Sequence, residues 1–247
     1  MSISVLSYGG GVNSSALFFF LIEKQMPLDI VIFADTGEEM PATYDAVERM
    51  RNECEKRKIE FVVVKSHLGK LYDYYFAKHA VPSIMKRDCT GKFKVAPIRK
   101  YLREHFGNQE KFVMYIGIAF DEWHRMKCSN VKYVTHNYPF CDYKISREGN
   151  IDILRRNSFP ATKSGCVGCI YNKKSTWLKM ANDQPREFAR WEALDKNNKR
   201  YPQVTLSPSF KLEDIRKQAK EQSILTAFIK EEEPEPKCDN VNGGCFL

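Results

Sequence analysis

The 247-residue sequence contains no apolar run long enough to cross a lipid bilayer. Its N-terminus also lacks a basic leader followed by an apolar stretch and a cleavage site. Together these absences predict a cytoplasmic protein with no membrane partner. Because no secretion signal is present, the eight cysteines are not expected to form a disulfide framework. A metal, a cluster or thiol chemistry explains them better.

Two well-known phosphate-binding signatures are missing, although a glycine turn is present near the N-terminus. Residues 7–15, Ser-Tyr-Gly-Gly-Gly-Val-Asn-Ser-Ser, lie between a short apolar run and a longer one. The segment lacks the Gly-Lys-Ser/Thr ending of a Walker loop and the glycine spacing of a dinucleotide fingerprint. Three glycines still let the backbone approach a ligand, and a helix start presents N–H groups to an anion. The segment predicts a phosphate or pyrophosphate site, with a plain strand-to-helix turn as the alternative.

Positive charge is concentrated in two blocks of a chain whose formal net charge is +8. Residues 86–103 hold seven basic residues and one acidic residue, and residues 163–200 hold nine and four. Such blocks can bind tRNA, DNA or a highly phosphorylated nucleotide. The alternative is the solvated surface of an ordinary basic protein.

Strand and helix patterns alternate through residues 1–150. Strands are predicted at residues 3–7, 29–34, 60–65 and 112–118, and helices at residues 14–24, 41–58 and 94–105. This alternation predicts an α/β fold, a Rossmann-like doubly wound parallel sheet with helices on both faces. Ligand loops are then expected at the carboxyl ends of the strands.

No strand pattern follows residue 150, which predicts a helical C-terminal subdomain. A short helix or turn is expected at residues 151–157, and helices at residues 173–180, 185–194 and 212–229. The predicted domains are therefore a nucleotide-binding α/β domain at residues 1–150 and a helical, cysteine-containing subdomain at residues 151–230. A stretch in which Glu and Pro alternate then leads into a flexible, acidic, cysteine-bearing tail at residues 231–247.

Four further segments occur in the order found in a known family. They read Phe-Ala-Asp-Thr-Gly at 33–37, Cys-Thr-Gly-Lys-Phe-Lys-Val-Ala-Pro-Ile at 89–98, Gly-Ile-Ala-Phe-Asp-Glu-Trp-His-Arg at 117–125 and Ser-Gly-Cys-Val-Gly-Cys at 164–169. With the glycine turn, they resemble the phosphoadenosine phosphosulfate (PAPS) reductase family over roughly residues 3 to 195. That family lies within the adenine-nucleotide alpha-hydrolase, or PP-loop ATP pyrophosphatase, superfamily. The superfamily loop usually reads Ser-Gly-Gly-x-Asp-Ser, so Gly9 replaces its first serine and Asn13 its aspartate.

The resemblance implies a site that binds ATP or PAPS with Mg²⁺. The residues expected to bind the nucleotide are Ser7, Gly9, Gly10, Gly11, Asn13, Ser14, Ser15, Lys92, Lys94, Gly117 and Arg125. The candidate catalytic residues are Asp35, Cys89, Asp121 and Glu122.

Local chemistry adds further expectations for these segments. The lysines after Cys89 can grip phosphate or sulfate oxygens, and they are expected to favour the Cys89 thiolate. Glu38 and Glu39 follow the second strand, where they can serve the site or form a solvated helix N-terminus. His124 is a weaker candidate for a base, since a lone His is more often a surface residue.

The Cys166-Val-Gly-Cys169 turn places two thiols at a spacing that fits an iron–sulfur cluster or zinc. Cys89 is the best third ligand, because the resemblance places its loop at the same edge of the sheet. Cys141, Cys238, Cys245 or a non-protein group can supply a fourth ligand, and Cys245 is the one assigned here. A [4Fe-4S] cluster is preferred, with structural zinc and a redox dithiol as alternatives.

Three functions are consistent with these patterns. The first is an enzyme that cleaves ATP to AMP and pyrophosphate and activates an acceptor, such as tRNA or DNA, for sulfur transfer from a sulfur-donor protein. The second is a PAPS or adenylylsulfate reductase, but the tail lacks the typical Glu-Cys-Gly-Leu-His ending of such enzymes. The chain also lacks the adjacent Cys-Cys pair of the cluster-containing sulfonucleotide reductases. The third is a non-catalytic nucleotide-binding module, which the asparagine at position 13 favours.

Overall fold

The computed structural model describes residues 2–84 and 87–232, with residues 223–232 described by their backbone alone. Five strands form one sheet in the order β3-β2-β1-β4-β5, and every neighbouring pair is parallel. The strands are β1 Ile3–Tyr8, β2 Ile30–Asp35, β3 Glu60–Lys65, β4 Phe112–Ile116 and β5 Val134–Asn137. The chain moves from β1 to β3 in one direction and then crosses to β4 and β5. The strand order therefore reverses between β1 and β4, where sheets of this kind place their ligands.

Ten α-helices are present in the described part of the chain, with one π-helical and one 3₁₀ segment. The helices are α1 Val12–Glu23, α2 Pro41–Lys56, α3 Leu71–Ala77, α4 Asp88–Thr90, α5 Ala96–Phe106, α6 Pro139–Asp142, α7 Arg147–Arg156, α8 Lys174–Asp183, α9 Pro185–Lys196 and α10 Leu212–Glu232. The π-helical segment is Gly91–Val95, and the 3₁₀ helix is Phe120–Arg125. No helix in this part of the chain combines the length and the apolar character needed to cross a bilayer.

Apolar side chains cover both faces of the sheet. One face packs on α1, α2 and α7, and its core includes Phe18, Phe33 and Leu154. The other face packs on α5, and its core includes Ile32 and Leu102. The predicted doubly wound α/β fold is therefore confirmed. Helix α7 spans residue 150 and belongs to the first of these cores, so the predicted domain boundary falls inside a helix.

A third core joins the C-terminal helices to the middle of the chain. Trp177 and Trp191 from α8 and α9 are fully buried with Tyr75 of α3 and Phe93 of the π-helical segment. The aromatic packing also explains why residues 88–95 are helical. The sequence predicted a helix only from residue 94, and Thr90 and Gly91 before it are weak helix formers. That prediction was wrong, because burial of Phe93 against Tyr74 and Tyr75 outweighs the local preference.

Candidate nucleotide and cysteine sites

The glycine turn occupies the carboxyl end of β1 and leads directly into α1. Gly10 has a φ of +71°, a conformation that side chains disfavour. A Cβ at this position would lie 2.7 Å from Cγ2 of Thr43, so neighbouring atoms would also have to shift. The turn therefore requires glycine at its centre. Residue 117, at the end of β4, is similarly restricted, since its Cβ would lie 2.8 Å from the backbone of Asn13.

Two serines of the turn have different environments. Ser14 Oγ donates to the carbonyl of Gly11 at 3.1 Å and accepts the N–H groups of Gly9 and Gly11 at 3.2 and 3.3 Å. Ser15 is buried, with its Oγ 3.0 Å from the Tyr8 hydroxyl. Ser14 thus shapes the turn from inside it, whereas Ser15 belongs to the core.

A cavity of about 410 Å³, the glycine cavity, opens between the ends of β1 and β4. Its lining contains three cationic side chains, Arg125, Arg147 and Lys163, and one carboxylate, Glu122, among the described residues. Its other lining residues are Ser7, Gly9, Gly11, Val12, Asn13, Ser14, Ile116, Gly117, Thr162 and Ser164. Arg125 pairs with Glu122 at 2.6 Å, which leaves Arg147 and Lys163 to give the cavity a positive balance. An anion fits this lining.

Asn13 is held at the first turn of α1 by three neighbours. Its Nδ2 donates to Oε2 of Glu122 at 3.0 Å. Its Oδ1 accepts from Asn150 at 3.1 Å and from Arg147 at 3.4 Å. An aspartate here would place a second negative charge beside Glu122. The neutral amide avoids that repulsion and links the 3₁₀ helix to α7.

The two candidate catalytic aspartates lie at the margins of this site. Asp35 ends β2, where its Oδ1 accepts from the Tyr44 hydroxyl at 2.9 Å and from the N–H of Gly37 at 2.8 Å. Asp121 accepts the backbone N–H of Arg147 at 3.0 Å. These three bonds order the loops, and neither aspartate side chain lines the glycine cavity. His124 is exposed and also does not line it.

A second cavity, the cysteine cavity, lies beside the first and measures about 290 Å³. Cys89, Cys166 and Cys169 all line it, as do Thr36 and Lys94. The chain from Ser164 to Gly165 connects the two cavities, because Ser164 lines the glycine cavity and Gly165 lines the cysteine cavity. The three cysteines predicted to act together therefore line one cavity.

Backbone hydrogen bonds attach the cysteine turn to the loop after β2. The N–H of Met40 donates to the carbonyl of Gly165 at 2.8 Å, and the N–H of Val167 donates to the carbonyl of Glu38 at 2.8 Å. Glu39 and Cys166 form an isolated antiparallel bridge between these bonds. The turn is therefore fixed to the same edge of the sheet as the nucleotide loop.

Glu38 and Glu39 are buried, which rules out the alternative of a solvated helix N-terminus. Glu38 accepts two bonds from the Arg190 guanidinium, at 2.8 and 2.5 Å, which is a bidentate geometry. Glu39 Oε1 accepts from Thr36 at 3.0 Å and pairs with Lys94 at 2.9 Å. Local sequence favoured exposure, but α9 and the cysteine turn cover both carboxylates.

Burial governs the thiols of the cysteine cavity. Burial raises the pKa of Cys89, and it raises the pKa of Cys166 to about 12, with the Glu39 charge adding to the effect. The expectation that nearby lysines favour the Cys89 thiolate was therefore wrong for the unliganded protein. Burial lowers the pKa of Lys94, but the attraction of Glu39 and Cys166 for its charge is larger, so the net effect is a raised pKa.

The donor chemistry of this cavity fits a thiolate-bound metal or cluster. Within residues 2–84 and 87–232, however, no three His, Cys, Asp or Glu side chains are gathered closely enough to hold an ion. Cys141 does not line this cavity; its thiol lies 3.6 Å from the carbonyl of Ile118. Cys238 and Cys245 lie outside the described residues.

The structure separates the two lysines that were expected to bind the nucleotide. Lys94 lines the cysteine cavity, and Lys92 lines a third cavity, where it pairs with Asp88 at 2.7 Å. Sequence reasoning missed Arg147, Lys163 and Ser164, which line the glycine cavity. The position of Lys163 and Ser164, just before the cysteine turn, could have identified them as site residues. Nothing in the sequence marks Arg147 as a site residue, because only the packing of α7 on α1 brings it to the loop.

Comparison with known proteins gives one family match. The model described as "Phosphoadenosine phosphosulfate reductase domain" matches residues 3–135, more than half of the chain. An uncharacterised nin region protein of Escherichia phage lambda, ORF290, is 26% identical over 202 residues, covering 70% of this chain and 67% of that protein.

Two solved structures are similar in fold. A phosphoadenylyl-sulfate (PAPS) reductase from Candida auris, crystallised as a phosphate complex, has a TM-score of 0.48 and 15% identity, covering 67% of this chain and 82% of that one. The U34-tRNA thiolase NcsA from Methanococcus maripaludis, solved with its [4Fe-4S] cluster, has a TM-score of 0.46 and 16% identity. That similarity covers 96% of this chain and 74% of the thiolase.

Proposed function

Because the chain belongs to the phosphoadenosine phosphosulfate reductase domain family, we propose that it is an enzyme that binds an adenine nucleotide in its glycine cavity. The favoured reaction is cleavage of ATP between the α and β phosphates. This cleavage activates an acceptor for sulfur transfer.

The observation that carries the proposal is the lining of the glycine cavity. A glycine turn, the start of α1 and three cationic side chains surround a space of about 410 Å³ at the point where the strand order reverses. Oligophosphates are bound by such helix starts together with Arg and Lys side chains. Arg147 and Lys163 then neutralise charge on the pyrophosphate, which makes it a better leaving group.

The proposed reaction has two balanced steps. An acceptor oxygen attacks the α phosphorus of ATP and pyrophosphate leaves, which gives an adenylated acceptor. Hydrosulfide delivered by a sulfur-donor protein then attacks the activated carbon, so that a C–S bond forms, the C–O bond breaks and AMP leaves with the oxygen. Mg²⁺ normally binds through one or two carboxylates and substrate phosphates. Glu122 is the carboxylate of this cavity that fits that role.

The cysteine cavity supports sulfur chemistry beside the nucleotide. Cys89, Cys166 and Cys169 would hold a [4Fe-4S] cluster or zinc, which would supply thiolate-bound metal chemistry next to the nucleotide. Cys245 is proposed as a fourth ligand, with structural zinc or a redox dithiol as the alternative use of these thiols. Burial of the thiols keeps the unliganded cysteines protonated, so metal binding would release protons.

A nucleic acid acceptor is proposed from the charge that remains unpaired. Many cations of the two basic blocks are neutralised internally, including Lys92, Lys94 and Arg190. Lys173 and Lys174 are exposed beside the cysteine turn and form no ion pair with the described residues. Together with Lys163 they provide a basic surface near both cavities, which suits tRNA or DNA.

The second candidate is reduction of PAPS or adenylylsulfate in the same cavity. Three thiols next to an oligophosphate site favour it, whereas the absence of an adjacent Cys-Cys pair from this sequence weighs against it. A non-catalytic module remains a third candidate, because Asn13 is neutral where the superfamily loop has aspartate.

Calorimetric titration of ATP and PAPS into wild type and Arg147→Glu tests the nucleotide site. We expect Arg147→Glu to weaken ATP binding by roughly tenfold or more, since it replaces a phosphate contact by a repulsive charge. The matched control is Arg155→Glu on the same helix, whose exposed side chain does not line the cavity. Equal affinity of the two variants would contradict the proposed site. Pyrophosphate release with tRNA or DNA supports the first reaction, and sulfite release from PAPS supports the second.

A further inference from the structure

The geometry points to a second ligand site, in which the third cavity binds a nucleotide unit, either a free nucleotide or one unit of a nucleic acid strand. We call this space, lined by residues of α3, the Asp88–Val95 region and the loop after α9, the tyrosine cavity. It measures about 420 Å³. Ligand pockets of roughly 300–1,000 Å³ accommodate small organic molecules, so the cavity has room for one nucleotide.

Aromatic and apolar side chains form most of the wall. Tyr74, Tyr75 and Tyr201 line the tyrosine cavity, together with Val81 and Val204. Tyr75 is buried and packs on Tyr74 with their ring centroids 5.2 Å apart, which fixes both rings in place. Tyr201 is an exposed ring of this wall, and an exposed tyrosine offers a flat face on which a nucleobase can stack.

The charges of the cavity favour an anion. Asp88 is the one carboxylate among its described lining residues, and Lys92 Nζ neutralises it at 2.7 Å while the Tyr75 hydroxyl donates to it at 2.7 Å. Lys78 and Arg200 also line the cavity, and both side chains are exposed. Neither forms an ion pair with the described residues. The Arg200 guanidinium lies over the Tyr201 ring, with its central carbon 5.7 Å from the ring centroid. A phosphate group can therefore bind both cations without breaking an ion pair among the described residues.

The two basic blocks of the sequence meet in this cavity. Lys92 comes from residues 86–103 and Arg200 from residues 163–200, and both line the same cavity as the three tyrosines. A phosphate alone would not use the aromatic wall, and an apolar molecule would not use the cations. A nucleotide unit uses both features.

The cavity also adjoins the cysteine site through a shared wall. Asp88 and Lys92 face the tyrosine cavity, whereas Cys89 and Lys94 of the same helical region line the cysteine cavity. A nucleotide bound here would contact the segment that carries Cys89. An acceptor strand anchored at this point would therefore pass beside the cysteines, although the binding itself does not depend on ATP at the glycine cavity.

Two uridine probes test the site without occupying an adenine site. Titration with UMP measures binding of a free nucleotide, and fluorescence anisotropy with a labelled single-stranded oligouridylate of about 12 nucleotides measures binding of a strand. Binding of UMP assigns the site to a free nucleotide, and binding of the oligouridylate alone assigns it to a strand. If neither probe binds the wild-type protein, the proposal is wrong.

Charge reversal distinguishes this cavity from general basic attraction. We expect Arg200→Glu to weaken probe binding by roughly tenfold, because it removes a phosphate contact. Lys199→Glu makes the same charge change at an exposed neighbour that does not line the cavity, and it should alter affinity by less than about twofold. Equal losses in the two variants would overturn the proposal. ATP affinity should stay at the wild-type value in both, so a failure here is separable from a failure of the glycine cavity.

A ring substitution tests stacking. Tyr201→Ala should weaken binding by roughly tenfold, whereas Tyr201→Phe should retain it, because stacking requires the ring and not the hydroxyl. If Tyr201→Phe loses as much affinity for the uridine probe as Tyr201→Ala, the base does not stack on this ring and the proposal is wrong.

Discussion

Replacing Gly10 by alanine should destabilise the glycine turn in two separable ways. A non-glycine residue at a φ of +71° costs roughly 1–2 kcal/mol, since the left-handed region crowds its Cβ. The new methyl group would also lie 2.7 Å from Cγ2 of Thr43, and such overpacking costs typically about 1–3 kcal/mol. Denaturant unfolding should therefore show a loss of about 2–5 kcal/mol. ATP affinity should fall as well, because the loop that is proposed to hold the phosphates would shift.

The variant Thr43→Ser separates the two contributions. It removes Cγ2 but keeps the hydroxyl that accepts the N–H of Gly165 at 3.3 Å. We expect the double variant Gly10→Ala/Thr43→Ser to be about 1–2 kcal/mol more stable than the sum of the single effects, which is a coupling that neighbouring residues can show. The double variant should still be less stable than Thr43→Ser, because the strain from the positive φ at position 10 remains. Strict additivity, or a Gly10→Ala protein as stable as wild type, would refute the reasoning.

The α/β part of the fold was predictable because its signals are local. Apolar runs separated by helical patterns placed β1 to β4, and a parallel sheet then dictated where the loops lie. The edge strand β5 was missed, because Thr135, His136 and Asn137 give it a polar sequence. Pairing with β4 supplies its stability, and no pattern within four residues encodes that pairing.

The site was predictable where a motif lies on one loop and unpredictable where packing joins distant segments. The glycine turn and the Cys166–Cys169 pair are recognisable from residue spacing. Arg147 reaches the glycine cavity only through α7, and Glu38 becomes buried only when α9 brings Arg190 to it. Contacts between residues more than a hundred positions apart depend on the whole fold. The sequence therefore indicated the chemistry of the two cavities better than their full linings.

Two substitutions near the cysteines give further tests. Gly168→Ala should lower the free energy of unfolding by roughly 1–3 kcal/mol, because the new Cβ would overlap the buried Trp191 ring. Gly165→Ala is the control: a Cβ there meets no atom within 4 Å, so this variant should unfold like wild type. The last prediction concerns the metal. Anaerobically purified wild type should contain iron and sulfide with broad visible absorbance, and Cys89→Ala should lose most of both, since a cluster needs each of its cysteine ligands. Cys128→Ala is the control, because that exposed cysteine does not line the cysteine cavity, and it should keep the wild-type metal content. Stoichiometric zinc in place of iron would reject the cluster and retain the site, whereas equal metal content in all three proteins would remove Cys89 from it.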